Sequence, residues 1–136
     1  MIALIGCVKQ KRDTACSAQE MYISPLFKKS YAYALRHAQK IYILSAKHGL
    51  LSPQKIISPY NETLNSKTEH EKKIWAAKVY AQMQQAGIHP DDKILFLCGE
   101  NYCKYLRCIY QNSIEPLRGL PMGKRLKWLK ESEETT

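Results

Sequence analysis

The chain has 136 residues, of which 45% are hydrophobic and 24% charged, a balance that fits one folded domain and excludes a disordered polymer. With 21 Lys and Arg against 12 Asp and Glu, the net charge is +9, which points to a polyanionic partner or serves solubility alone. No apolar run approaches the roughly 18 residues of a bilayer span, and Met1 to Gly6 lacks a basic leader and reads as a core strand, not a signal peptide.

Ile2 to Gly6 is a short continuous apolar run, the pattern of a strand buried on both faces. Ser24-Pro25 then opens a helix: Ser24 can cap the free amides, and Pro25 at the first helical position gives up no hydrogen bond. Phe27, Tyr31, Ala34, Leu35 and Ala38 form its inward stripe. Ile41 to Ser45 is a second strand, rich in β-formers. Gly49, Pro53 and Pro59 make the next stretch loop-like, with a brief extended piece at Ile56-Ile57. Ser66 and Glu69 have the spacing of a capping box, and Trp75, Val79, Met83 and Ala86 follow as an apolar stripe ended by Gly87. His89 to Asp92 is a turn before a third strand, Lys93 to Cys98. Gly99 breaks that strand, and Tyr102, Leu106, Ile109 and Tyr110 mark a helix. Ser113 to Leu117 is a short fourth strand, and a last helix turns Met122, Leu126 and Leu129 inward. Glu131 to Thr136 is expected to fray as an acidic tail, leaving residues 1–130 as a single α/β domain.

This order implies a three-layer α/β sandwich, a central, mostly parallel four-stranded sheet with helices on both faces. Right-handed crossovers bring the C-terminal ends of the strands to one edge, where open α/β sheets bind ligands. The chemically distinctive residues follow the strands to that edge. Cys7, Lys9, Lys11 and Arg12 come after the first, Ser45, Lys47, His48 and Gly49 after the second, and Gly99, Glu100, Asn101 and Tyr102 after the third.

Each candidate has two readings. Cys7 is a small buried residue at a strand end, or a thiol activated by Lys9. Lys9, Lys11 and Arg12 are a phosphate clamp or a solvated basic loop. His48 hydrogen-bonds a ligand or a backbone carbonyl, and Gly49 supplies a positive φ or a close approach. Tyr60 and Asn61 line a pocket or close a turn. Glu100 is a general base, or an acidic residue favoured by the start of a helix. The five cysteines Cys7, Cys16, Cys98, Cys103 and Cys108 are an odd count without C-x-x-C pairs, which fits a reducing cytoplasm better than a disulfide framework. Scattered Cys and His disfavour a zinc site, and no metal or other cofactor is implied. P-loop, dinucleotide and G-x-S-x-G signatures are absent from the sequence.

Four strings carry a resemblance: Gly6 to Lys11, Ala18 to Ser30, Ile43 to Pro53, and Ile57 to Leu64. With the later Gly99-x-x-Tyr102 and Pro116 to Gly123, they resemble an uncharacterised family common in phage and bacterial genomes. The same block is more loosely similar to the YaaA-like peroxide-stress proteins, which bind DNA, and behind them to the uracil-DNA glycosylase-like superfamily. That resemblance implies a small four-stranded parallel α/β fold. The chain lacks the Gly-Gln-Asp-Pro-Tyr and His-Pro-Ser-Pro motifs of typical uracil excision enzymes, so no catalytic residue carries over.

Two functions compete. The first is an N-glycosidase acting on a nucleotide or nucleic acid, with DNA favoured. His48 and Lys47 would stabilise the departing base, Tyr60 and Asn61 would hold it, and Glu100 would activate water. Lys9, Lys11 and Arg12 would clamp phosphates, with Cys7, Ser45, Gly49, Gly99 and Tyr102 completing the site. In a variant, the amine of Lys9 or Lys47 attacks the sugar and forms an imine. The second function is a non-catalytic nucleotide- or nucleic-acid-binding module, as in phage–host conflict. Beside both stands a small basic domain that binds a phosphorylated metabolite.

Overall fold

β1 (Ile2–Gly6) carries apolar side chains at consecutive positions because both its faces are covered: Ala3 and Ile5 enter one core and Leu4 the other. The computed structural model describes residues 1–6 and 11–134. After β1 the elements are β2 (Cys16–Ser17), α1 (Ala18–Met21), α2 (Pro25–His37), β3 (Lys40–Ser45), β4 (Gly49–Leu51) and β5 (Ile56–Ile57). A 3-10 turn (Leu64–Ser66), α3 (Glu69–Gln85), β6 (Ile94–Leu97), α4 (Glu100–Ile109), β7 (Ser113–Ile114) and α5 (Met122–Glu134) follow.

The main sheet has the order β4-β3-β1-β6-β7, with β4 antiparallel to β3 and every other neighbouring pair parallel. It is therefore mixed and five-stranded, not the mostly parallel four-stranded sheet that the pattern predicts. The extra strand arises at Gly49, whose φ of 74° helps reverse the chain so that Leu50 and Leu51 pair back onto Leu44 and Ile43. Three residues are too few to register as a strand in a stretch punctuated by proline. The extended piece at Ile56-Ile57 is real and pairs with β2.

Helices cover both faces. Met21 of α1, Phe27 and Ala34 of α2, and Leu129 of α5 pack on Ile5, Ile43 and Leu95. Trp75, Val79 and Met83 of α3 pack with Leu106 of α4 on Leu4, Leu44 and Phe96. The alternation along each strand divides the two cores.

The helix starts show where local chemistry holds and where it slides. Ser24 Oγ accepts from the Phe27 amide at 3.2 Å, with Pro25 as the first helical residue, as expected. The inward stripe of α2 is Phe27, Ser30 and Ala34, while Leu35 is 63% exposed. The capping box forms two residues later than expected: the Glu71 amide donates to Thr68 Oγ1 at 3.1 Å, and the Thr68 amide to Glu71 Oε1 at 3.0 Å. Glu69 is thereby freed to accept from Lys104, Tyr105 and Lys72. Those bonds tie α3 to α4 and pull its pKa down to about 2. At the other end of the chain, α5 runs through Glu134, and Glu133 pairs with Lys29 at 3.0 Å, so residues 131–134 of the expected tail are helical. Met122 is exposed and Leu129 buried. Among the described residues, no helix is long and apolar enough to cross a membrane.

Cys98 and Cys103 are joined by a disulfide, against the expectation of free thiols. Gly99, the N-cap of α4, turns the chain so that a strand end and the first helical turns bring the two Cα atoms to 6.3 Å.

Gly6 has no room for a side chain: a Cβ there would lie 2.7 Å from Cys98 Cβ and 3.1 Å from its Cα. Gly6→Ala should therefore destabilise the protein by about 1–3 kcal/mol through overpacking, read as a lower urea midpoint with the slope unchanged. A wild-type midpoint would show that β1 and β6 separate without penalty.

Candidate functional site

The strand order opens a crevice. From β1 the chain moves to β3 by way of α2 on one face, then passes over β1 to β6 by way of α3 on the other. The helices that follow β1 and β6, α2 and α4, therefore lie on opposite faces of the sheet, and the C-terminal edge between these strands is the switch point where open α/β sheets hold ligands. A cavity of about 800 Å³ lies there. Gly6, Leu97, Cys98 and Gly99 line it from the sheet edge, Phe27 and Ser30 from α2, and Leu117 and Arg125 from the C-terminal segment. Asn61, Glu62, Thr63 and Asn65 line it from the segment before α3.

Among the described residues, two cations border the cavity. Lys11 is set by a bridge to Tyr22, with its Nζ 4.7 Å over the Tyr60 ring. Arg125 is anchored by its Nε to the Leu120 carbonyl at 2.8 Å and by Nη1 to the Cys98 carbonyl at 3.3 Å. Asn65 accepts from Asn101 Nδ2 at 2.8 Å, and the Leu64 amide donates to the Tyr102 hydroxyl at 3.3 Å. These bonds fix the 61–65 segment against α4.

Some of the predicted residues fall in this cavity, some in a second place and some in neither. Lys11, Asn61, Gly99 and Tyr102 line the cavity, whereas Cys7 and Lys9 lie outside the described residues. Arg12 donates through Nε to the Glu20 carbonyl at 2.8 Å, a tie between loop and helix. Ser45, Lys47, His48 and Gly49 form the reversal between β3 and β4, and one face of α3 clamps it. Trp75 Nε1 donates to the Ser45 carbonyl at 2.9 Å, Lys78 Nζ to that of Lys47 at 3.1 Å, and Gln82 Nε2 to that of His48 at 3.1 Å. The Leu50 amide returns a bond to Gln82 Oε1 at 2.8 Å.

Beneath the clamp runs a chain of hydroxyls. The His48 amide donates to Ser45 Oγ at 3.0 Å, Ser45 Oγ donates to the Tyr60 hydroxyl at 2.7 Å, and the Tyr60 and Tyr22 hydroxyls are 2.6 Å apart. The His48 ring meets Tyr60 edge-on at 5.5 Å. Its Nε2 is buried without a hydrogen-bond partner among the described residues. Desolvation, and then the charges of Lys47, Lys55 and Lys78, hold the pKa of His48 below its usual 6.5, opposed by Glu62. A neutral imidazole brings no positive charge to a departing base.

Glu100 sits in an ion-pair network. Its carboxylate accepts from Arg107 Nη2 at 2.5 Å and Nη1 at 3.2 Å, and Arg107 also binds Glu115 at 2.6 and 2.7 Å. Arg107 holds the Glu100 carboxyl below its usual range, which lowers its basicity. The residues that sequence reasoning missed are Ser30, Glu62, Thr63, Asn65 and Arg125. Glu62 to Asn65 directly follow the chosen pair Tyr60 and Asn61, so extending that segment would have found them. Arg125 carries no signal, since Lys124, Lys127 and Lys130 share its helix.

Fold and crevice together define a three-layer α/β protein with a ligand-sized pocket where its strand order reverses. Residues 2–131 match a family of unknown function, DUF6884, and the chain belongs to it. The uncharacterized protein YfjM of Bacillus subtilis (strain 168) is 28% identical over 92 residues, 68% of this chain. The match spans 61% of that relative's length.

His48 should titrate below 6.5 by NMR, and Lys47→Ala should move its midpoint upward. Because the folded protein binds fewer protons here than the unfolded chain, the contribution of His48 to stability is present above pH 6.5. It is lost as pH falls from there through the folded value; a midpoint at or above 6.5 refutes the burial argument. Tyr60→Phe removes the central hydroxyl of the buried chain and should cost about 1–2 kcal/mol in chemical denaturation.

Proposed function

We propose that the crevice between β1 and β6 binds a nucleotide or an unstacked nucleic-acid base. The observation that carries this reading is the cavity of about 800 Å³ at the switch point, within the range of small-molecule sites. Its lining supplies what a base–sugar–phosphate requires. Phe27, Leu117 and Tyr102 offer apolar and aromatic surface for a flat ring, Asn61, Asn65 and Ser30 offer donors and acceptors for base edges, and Lys11 and Arg125 offer charge for phosphate. The net charge of +9 fits the same class of ligand, with DNA as the favoured polymer. A uracil-DNA-glycosylase-like ancestry belongs to this proposal, supported by the α/β/α layering and by the position of the pocket.

Hydrolysis of the base–sugar bond is the second reading, favoured by the carboxylate of Glu62 in the cavity lining. In that reading Glu62 takes the water-activating role in place of Glu100, and Lys11 or Arg125 stabilises the departing base in place of His48 and Lys47.

Titration calorimetry against nucleoside monophosphates and short single- and double-stranded DNA and RNA tests binding. Affinity should fall as salt rises, and Asn61→Ala and Arg125→Ala should each weaken it about tenfold or more, roughly 1.4 kcal/mol. No binding across the panel, or affinity flat with ionic strength, defeats the proposal. Base release from the same panel tests the chemistry: Glu62→Gln should bind without releasing base. If wild-type protein releases none, the enzymatic reading fails and the binding reading stands.

A further inference from the structure

The disulfide lies in the wall of this cavity. Cys98, at the end of β6, lines it, and Cys103, on α4, is 1% exposed. Their Cα separation of 6.3 Å falls within the span a disulfide bridges. The same placement also suits the reduced pair: Cys103 Sγ lies 3.4 Å from the Cys98 carbonyl oxygen, to which a thiol there donates. That carbonyl also accepts Arg125 Nη1 at 3.3 Å. Among the described side chains, the carbonyl therefore serves two donors in the reduced state and only the guanidinium in the oxidised state. Cys98 cannot yield toward β1, because Gly6 is already packed against it.

We propose that Cys98 and Cys103 are a reversible thiol–disulfide pair that reacts with low-molecular-weight disulfides of the glutathione class and sets how firmly Arg125 and the cavity wall are held. Cys98, on the cavity side, reacts first. Its thiolate attacks one sulfur of glutathione disulfide, whose S–S bond breaks, releasing one glutathione thiolate and leaving a mixed disulfide on Cys98. The Cys103 thiolate then attacks the Cys98 sulfur, closes the internal bond and expels the second glutathione thiolate. Two electrons pass from the protein thiols to glutathione disulfide, and the two cysteine protons end on the two glutathione thiols. The control of ligand binding rests on the pocket reading above, whereas the thiol chemistry does not.

The test equilibrates the full chain in glutathione buffers from reducing to oxidising, then applies alkylation and peptide mass mapping. The 98–103 pair should convert in one two-electron step, with a loss of about two mass units before alkylation. Cys103→Ser should stop at the glutathione adduct on Cys98, and Cys98→Ser should leave Cys103 without an adduct. Full alkylation of both cysteines in excess glutathione disulfide overturns the pair. Coupling to Arg125 is read without any ligand. Arg125→Ala, with its fold checked by circular dichroism, leaves the carbonyl to the thiol and favours the reduced form. It should therefore shift the midpoint glutathione ratio about fivefold toward oxidising conditions. An unchanged midpoint overturns the coupling. A nucleoside monophosphate that binds should favour the oxidised form about fivefold, since its wall is fixed in advance. Equal binding to both forms removes control of the pocket and leaves nucleotide binding intact, while absence of binding to either form counts against the pocket reading alone.

Discussion

β1 has no free side, and most of the molecule follows from that. Its backbone is paired on both edges, to β3 and to β6, and its side chains are buried on both faces. A strand so placed must be apolar throughout. It ends at Gly6, pressed against Cys98 with no space for a Cβ. Because the chain leaves β1 for one neighbour and later returns over it to the other, the covering helices fall on opposite faces. The crevice is the geometric remainder of that reversal.

The two clusters of polar residues near the sheet edge do different physical jobs. At the β3–β4 reversal, the carbonyls of Ser45, Lys47 and His48 and the amide of Leu50 are all engaged by α3. A reversal packed against a helix would otherwise leave backbone groups unpaired, so the density of polar residues there is an answer to burial. The cavity beside β6 is built differently. Its polar groups stand among apolar side chains from α2, α4 and α5, and its charges are oriented by anchors, Arg125 on two carbonyls and Lys11 above Tyr60. Orientation by the surrounding fold is what a ligand requires of its site.

Glu100 and Glu62 make the same contrast among carboxylates. Spacing along the chain placed Glu100 after a strand and at a helix start, a natural station for a general base. On the helix, however, residue 107 lies two turns on from residue 100, and the loop beyond β7 brings in Glu115, so Arg107 holds both acids. Glu62 had no periodic signal and only its place beside Tyr60 and Asn61 to mark it, yet the fold puts it at the cavity. The disulfide was hidden for a similar reason: a five-residue separation is not a recognised cysteine spacing, and only the turn at Gly99 brings the two sulfurs together.

The sequence by itself determined the layers, the central parallel strands, the cap at Ser24 and the sheet edge at which the cavity opens. These depend on periodicity and local hydrogen bonding, which act over a few residues. Tertiary structure alone decided the antiparallel β4, the capping box at Thr68 and Glu71 instead of Ser66 and Glu69, and the division of the candidates between clamp and cavity. Each of these depends on which distant groups compete for the same backbone or charge: Gln82 for the β4 turn, Lys104 and Tyr105 for Glu69, Arg107 for Glu100. Partners 30 or more positions away, as Gln82, Lys104 and Tyr105 are, leave no periodic trace in a single chain, and an i,i+7 pair such as Glu100 and Arg107 looks there like any other two charges.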